Sequence, residues 1–281
     1  KANLTGAMLR RATGLPVITT VHSDYRLDYL GRPLANLTYG TLNKLALRRL
    51  DHWIGVSGAM VKALISRGFS PQDVFEIKNS VAFDDLSVKE DRAAFLSRVG
   101  LEVPEDVVVF GIAARISPVK DMETLVRAFA RVVRDCPQAR LCIAGDGEER
   151  SRIQALAEEL CPRGSFCFAG WLEDTASFYR AIDVNMLTSL SEGFPYALIE
   201  GARQHCATVS SRVGGIPELI DDEWNGLLFP PGDVDALTER MLRLAGDSSL
   251  RQLLADRLFQ KGKEEYSLQV MVRTMTWREY S

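Results

Sequence analysis

From Val107 onward, short apolar runs rich in β-branched residues recur at regular intervals, each followed by residues at helical spacing. Val107 to Ile112 is apolar throughout and reads as a buried strand. Met122, Leu125, Val126, Phe129, Val132 and Val133 then form one stripe of a helix. The same logic predicts a strand at 139–144 and a helix carrying Ile153, Leu156, Ala157 and Leu160 on one face. A strand at 165–169, a short helix at 175–181 and a strand at 183–187 follow. A helix from about Pro195, a strand at 207–210 and a C-terminal helical region complete the series. Strands that are continuously apolar must be covered on both faces, so the pattern specifies an α/β, doubly wound parallel sheet. Ligands of such sheets bind in the loops at the carboxyl ends of the strands.

The first eighty residues repeat the style with fewer parts: a strand at 17–21, a helix at about 33–50, a strand at 53–56, a helix at 59–67 and a strand at 74–78. Ser57 is placed to cap the second helix. Three strands are few for a doubly wound domain, which usually has about four to six. The N-terminal domain is therefore expected to be truncated, and the start at Lys1 rather than Met fits a lost leader or domain. The polar segment 79–105 is expected to be irregular and to hold the interdomain linker. At roughly 150 residues per domain, 281 residues suggest about two domains. The boundaries expected are 1–90 for a partial acceptor-side domain and 91–264 for a donor-binding domain, with 265–281 a helix packing back toward the first.

Composition narrows the functional classes. A formal net charge of −3 gives no global cationic field for nucleic acid. No apolar run approaches the ~20 residues that span a bilayer. The five cysteines include no C-x-x-C pair and read as free thiols in a reducing cytosol. His22, His52 and His205 are too scattered to form a metal site by spacing. No G-x-G-x-x-G follows a strand and no Walker A sequence occurs, which weighs against a Rossmann oxidoreductase and an ATPase.

Three loop clusters carry chemistry. The first, Ala114 to Asp121, places Arg115 and Lys120 between a strand end and a helix start. An arginine fork, a lysine point charge and a helix N-terminus suit a diphosphate. Two solvated surface cations are the bland alternative. The second cluster is Ser191-Glu192-Gly193-Phe194-Pro195, with Glu200 eight positions after Glu192 and expected on the same side. Carboxylates accept vicinal hydroxyls, so one could hold a sugar and the other a ribose. An acid that merely complements a helix dipole is the alternative for Glu192. In the third, Val213 to Ile220, paired glycines either turn amides toward an anion or make a turn. Gly145-Asp146-Gly147 is a weaker signal of the same kind.

Together these clusters resemble the retaining glycosyltransferases of family 4, which have the two-domain GT-B architecture of Rossmann-like sheets. The matching stretches are 111–121, 144–149, 168–174, 192–202, 213–220 and 225–229, in family order. The resemblance implies that Arg115 and Lys120 bind the donor diphosphate and stabilise charge as the nucleotide leaves. It gives Glu192, Gly193, Phe194 and Pro195 the donor sugar, partly through backbone amides, and Glu200 the ribose. Leu172 would lie against the base, Asp146 would border the donor, and His22 would face the sugar across the cleft. Gly55-Val56-Ser57 and Asn79-Ser80-Val81 resemble further landmarks. Two departures stand out: no Gly-rich loop follows the first strand, and Gln204-His205-Cys206-Ala207 replaces the small residues, Gly and Pro usual after the second acid.

The function implied is retaining transfer of a hexose from a nucleotide-diphosphate sugar to an acceptor hydroxyl, in glycan or glycolipid biosynthesis. No cofactor and no metal are expected, because fixed cations can do the work of Mg²⁺. The rivals are a nucleotide-sugar 2-epimerase of the same fold and a catalytically incomplete nucleotide-binding module. The acceptor is expected to be a carbohydrate or a lipid-linked molecule. Arg26, Arg32, Lys44, Arg48 and Arg49, against Asp28 alone and beside Tyr25, Tyr29 and Tyr39, allow two readings. They form either a surface meeting anionic lipid or an ordinary solvated helix face. A cytoplasmic protein, peripheral at the inner membrane face, would fit the first.

Overall fold

The computed structural model describes residues 2–24, 40–84, 86–101 and 106–277. Tyr25, Arg26, Asp28, Tyr29, Arg32 and Tyr39 lie outside the described residues, as do residues 33–39 of the helix expected over 33–50.

The first half runs α1 (Ala2–Thr13), β1 (Ile18–Val21), α2 (Thr41–Leu47), β2 (His52–Gly55), α3 (Gly58–Ser66) and β3 (Val74–Glu76). Its three strands are parallel in the order β1-β2-β3. Val21, Leu47, Trp53, Met60, Leu64 and Phe69 form its core. Ser57 caps α3 as expected, its Oγ accepting from the Met60 N–H at 3.1 Å. Helix α1 was not foreseen, and the reason is physical: none of its side chains is buried. Polar contacts hold it instead, with Arg10 forked onto Asp51 and Thr19 donating to Asn3.

Between the sheets stands α4 (Arg92–Arg98), which corrects the expectation of an irregular linker across 79–105. Asp91 caps it, and Phe95 and Leu96 are buried against the second sheet. Seven residues are too few for their periodicity to rise above a polar background.

The second half runs β4 (Val109–Ala113), α5 (Met122–Asp135), β5 (Arg140–Ala144), α6 (Arg150–Leu160), β6 (Phe166–Gly170), α7 (Thr175–Ala181), β7 (Val184–Leu187), α8 (Tyr196–Arg203), β8 (Ala207–Ser211), α9 (Ile216–Leu219), β9 (Leu227–Phe229), α10 (Val234–Gly246), α11 (Ser248–Glu265) and α12 (Leu268–Trp277). Its six strands are parallel in the order β6-β5-β4-β7-β8-β9. Strand β9 was not anticipated; it has three residues and lies beyond the last expected strand. The stripe predicted for α5 is buried in full. Truncating Phe129 there to alanine would cost about 3–5 kcal/mol. After α11 the chain returns to the segment following β3: Val81 donates to the Tyr266 carbonyl and Leu268 to the Val81 carbonyl, each at 3.1 Å. All five cysteines are free thiols, and Cys142 and Cys167 face each other on β5 and β6 with their Sγ atoms 3.4 Å apart. Among the described residues no helix is long and apolar enough to cross a membrane.

Candidate functional site

The strand order locates the crevice. Successive strands leave β4 in one direction through β5 and β6, then resume on its other side with β7, β8 and β9. The winding therefore reverses between β4 and β7, and loops at the carboxyl ends of those two strands diverge around an opening. Those loops hold Arg115 and Lys120 on one side and Glu192 to Pro195 on the other.

The two loops are tied together. Lys120 Nζ donates to Glu192 Oε1 at 2.5 Å, and Ser189 Oγ donates to the same oxygen at 2.5 Å. Thr188 holds the Lys120 carbonyl at 2.8 Å, Leu190 N donates to the Val119 carbonyl at 2.8 Å, and Ser211 holds the Ser189 carbonyl at 2.6 Å. Asp121 ends the first loop in the left-handed region, at φ 46°, and caps α5 with its side chain. Arg115 takes a different partner, Glu148, at 2.9 Å, and its side chain is 67% exposed. Arg115 and Lys120 thus arise from one loop but pair with carboxylates on two others.

The loops after β1 and β2 of the first sheet press directly on this arrangement. A Cβ added at Gly193 would lie 2.0 Å from the His22 carbonyl oxygen, so only glycine allows that approach. Gly214, at φ +54°, meets the Glu192 carbonyl as closely, at 1.8 Å from an added Cβ. Ser57 Oγ donates to the Gly193 carbonyl at 3.2 Å, as does Gly215 N at 3.0 Å. Asn79 Nδ2 donates to the Phe194 carbonyl at 2.8 Å. The Phe194 ring stacks on Tyr266, with centroids 4.9 Å apart and planes at 17°. Tyr266 in turn donates its hydroxyl to the Glu218 carbonyl at 2.9 Å. The Glu218 carboxylate crosses to the other half and accepts the first N–H groups of α3, from Gly58 at 3.0 Å and Ala59 at 2.7 Å. A carboxylate there complements the helix dipole as well as two unpaired donors.

The remaining expected residues are placed as follows. Glu200 lies on α8 facing α7, where burial raises its carboxyl above the ordinary value against the opposing pull of Arg203 and of the Tyr179 and Thr175 hydroxyls. Among the described residues no hydrogen bond joins it to Glu192. Pro195 is the residue immediately before α8. Leu172 is half-buried and packs against the cluster around Phe178. Asp146 lies against the Arg115 loop, its carbonyl accepting from Ile116 N at 2.9 Å, and stands 3.8 Å from Arg150. His22 follows β1 and is exposed. The D-x-D spacing occurs once, at Asp233 and Asp235. Asp233 caps α10 and Asp235 pairs with Arg131, so neither belongs to this crevice cluster. Among the described residues no group of three or more acids, histidines or cysteines is placed to hold a metal.

Sequence reasoning missed Ser57, Asn79, Glu218 and Tyr266 as parts of the site. Their contacts span 136, 115 and 160 positions for Ser57, Asn79 and Glu218, beyond any local spacing rule. The resemblance had marked the stretches around Ser57 and Asn79 without assigning them work.

The arrangement offers a cation, a carboxylate and free amides side by side. Among the described residues neither the Gly193 nor the Phe194 N–H has an acceptor. Such donors suit anionic or hydroxyl oxygens of a ligand.

Comparison with known proteins bears on the family and the fold. The family described as Glycosyl transferases group 1 matches residues 96–261, and Glycosyltransferase Family 4 matches residues 2–85. The lipopolysaccharide core biosynthesis glycosyltransferase LpsE of Rhizobium meliloti is 34% identical over 166 residues, covering 59% of this chain and 48% of that protein. The D-inositol 3-phosphate glycosyltransferase of Saccharomonospora viridis is 35% identical over 179 residues, covering 57% of this chain and 39% of that one. The chain thus spans about half or less of the length of these relatives. The crystal structure of Anabaena HepE with UDP and glucose superposes with a TM-score of 0.85 at 22% identity, covering 100% of this chain and 75% of that one. The fold is GT-B. The chain belongs to the group 1 glycosyltransferases.

Proposed function

We propose that the protein transfers a hexose from a nucleoside-diphosphate sugar to an acceptor hydroxyl, with retention, in the assembly of a glycan or glycolipid. The observation that carries this is the Lys120–Glu192 pair at the winding reversal, bordered by the unpaired Gly193 and Phe194 amides. A diphosphate entering the crevice takes its charge balance from Lys120 and Arg115, and the amides and Glu192 receive sugar oxygens. As the bond to the sugar breaks, negative charge grows on the departing phosphate. Fixed cations stabilise that charge more than they stabilise the bound donor, which lowers the barrier. Cations already in place leave no electrostatic task that demands a divalent metal, so turnover is expected to survive EDTA. Glu200 holds the ribose, Leu172 the base, and His22 faces the sugar from the other half. The relatives named for lipopolysaccharide core biosynthesis and for glycosylation of D-inositol 3-phosphate support a carbohydrate or lipid-linked acceptor. Peripheral membrane contact fits the basic residues of α2 and the turn after it, Lys44, Arg48 and Arg49.

The test is thermal unfolding with UDP, GDP, ADP and their hexose conjugates, beside an Arg115→Ala/Lys120→Ala double variant. A ligand at a hundred times its dissociation constant adds about 2.7 kcal/mol, which is a shift of several degrees for domains of this size. Stabilisation by one nucleotide series, lost in the double variant, is expected. Stabilisation that persists in the double variant would overturn the assignment. Incubation with donor and no acceptor separates transfer from epimerisation, since only an epimerase then yields an isomerised sugar.

A further inference from the structure

The Gly193–Phe194 segment is held from both halves of the molecule. Gly193 is pressed to the His22 backbone, its carbonyl accepts from Ser57, and the next carbonyl accepts from Asn79. A peptide unit is planar, and its C=O and N–H point in opposite directions. Whatever fixes the Gly193 carbonyl therefore also aims the Phe194 N–H. With Ser57 and Gly215 holding that oxygen, the Phe194 N–H is turned away from both, and it has no acceptor among the described residues. Asn79 fixes the following carbonyl, immediately before the Pro195 nitrogen that leads into α8, and so sets where the segment hands over to the helix. Asn79 is itself 7% exposed, and its bond to Phe194 spans 115 positions, so it is a buried donor committed to one acceptor. Glu218 ties the same two halves one layer away by capping α3.

We propose that Asn79 and Ser57 are positioning residues. Through the Gly193 carbonyl Ser57 aims the Phe194 N–H at the donor sugar, and through the Phe194 carbonyl Asn79 fixes the other end of that residue, so that the sugar subsite exists only while the two halves are docked. The inference rests on the donor-binding reading above and adds a division of labour to it. The diphosphate cations belong wholly to the second half, whereas the Phe194 residue that faces the sugar is held in part by the first. Affinity for a bare nucleoside diphosphate and affinity for its sugar conjugate should therefore respond differently to the same change.

The experiment measures dissociation constants of UDP, GDP, ADP, UDP-glucose, GDP-mannose and ADP-glucose for the full chain, and carries forward the pair that binds. It uses Asn79→Ala and Asn79→Asp, because Ser57→Ala would uncap α3 as well. Both variants should bind the bare diphosphate within about twofold of the parent, while the ratio of diphosphate to conjugate affinity shifts by about tenfold, the scale of one hydrogen bond. Asn79→Asp keeps the shape but sets an acceptor against the Phe194 carbonyl, so it should be no milder than Asn79→Ala. Its deficit should narrow as pH falls and the introduced carboxyl gains a proton to donate. A purely space-filling role would leave Asn79→Asp like the parent at every pH, and that result would sink the proposal. Equal losses for diphosphate and conjugate would also overturn it, while leaving the donor-binding reading intact. If the parent binds none of the six probes, the donor-binding reading fails and takes this inference with it.

Discussion

Lys120 and Glu192 sit 72 positions apart in the chain, and Lys120 Nζ approaches Glu192 Oε1 to 2.5 Å across the opening between β4 and β7. Both side chains are largely buried, 21% and 10% exposed, so each is the other's principal source of charge balance. An anion arriving beside Lys120 meets a cation already engaged, and binding redistributes that engagement rather than creating it.

Removing Lys120 should therefore act twice. Lys120→Ala is expected to weaken nucleoside-diphosphate binding by at least tenfold and to lower turnover by about 10²–10³. It also strands Glu192, at a stability cost of about 1–3 kcal/mol. Adding Glu192→Gln should recover part of that stability and none of the binding. Denaturant unfolding and calorimetric titration of the two single variants and the double complete the cycle. A double variant no more stable than Lys120→Ala would show that the pair is not coupled.

Gly193→Ala tests the contact with His22. The added methyl has no room beside that carbonyl, so the halves must part or the loop must shift, and overpacking of this kind costs about 1–3 kcal/mol. Small-angle scattering should show a larger radius of gyration, accompanied by loss of donor affinity. Unchanged dimensions and affinity would mean that the approach is looser in solution.

Burial raises the Glu200 carboxyl above its ordinary value of 4.5. A raised carboxyl favours the folded state fully only below its unfolded value, and that contribution is lost as pH rises through the native value. Glu200→Gln mimics the protonated form at every pH. It should be more stable than the parent at pH 7, with the gap closing as pH falls toward 4, and on the proposed ribose role its nucleotide binding should decline. Melting curves across that range check the sign, and a variant less stable than the parent at pH 7 would refute it.

Glu218→Ala removes a cap that one half provides for a helix of the other. A loss of about 0.5–2 kcal/mol is expected, and it should appear as easier opening between the halves rather than as unfolding of either sheet. Hydrogen exchange at Gly58 and Ala59 would report it directly. Unchanged protection there would contradict the role.

The cysteines should be almost inert in the native protein. Burial pushes the Cys161 thiol up to about 11 and the Cys206 thiol higher still, and the hydrogen bond to Cys167 together with burial raises Cys142. Cys136 alone of the five is not buried. Thiol titration should label Cys136 first and the remaining four only on unfolding.

What the sequence disclosed follows from where information is local. Helix α7 begins and ends where its pattern placed it, and the α5 stripe is buried in full, because burial on one face leaves a periodic trace. Helix α1 left no such trace, since none of its side chains is fully buried and its large apolar residues Leu4, Met8 and Leu9 are exposed. Strand β9 was too short to register. The same divide runs through the site. Lys120 and Glu192 could be picked out by chemical type and by the elements around them. Ser57, Asn79, Glu218 and Tyr266 could not, because an ordinary serine cap or a buried tyrosine acquires its role only from the partner that folding supplies.

The stack of Tyr266 on Phe194 also bears on the order of events during synthesis. The ribosome delivers Phe194 and all the crevice loops well before it delivers Tyr266, the ring that seats them. A nascent chain can therefore assemble both sheets and still lack the last support of the Gly193–Phe194 loop. Maturation of the crevice then coincides with the return of α11 and α12 to the first half, after both sheets have been made.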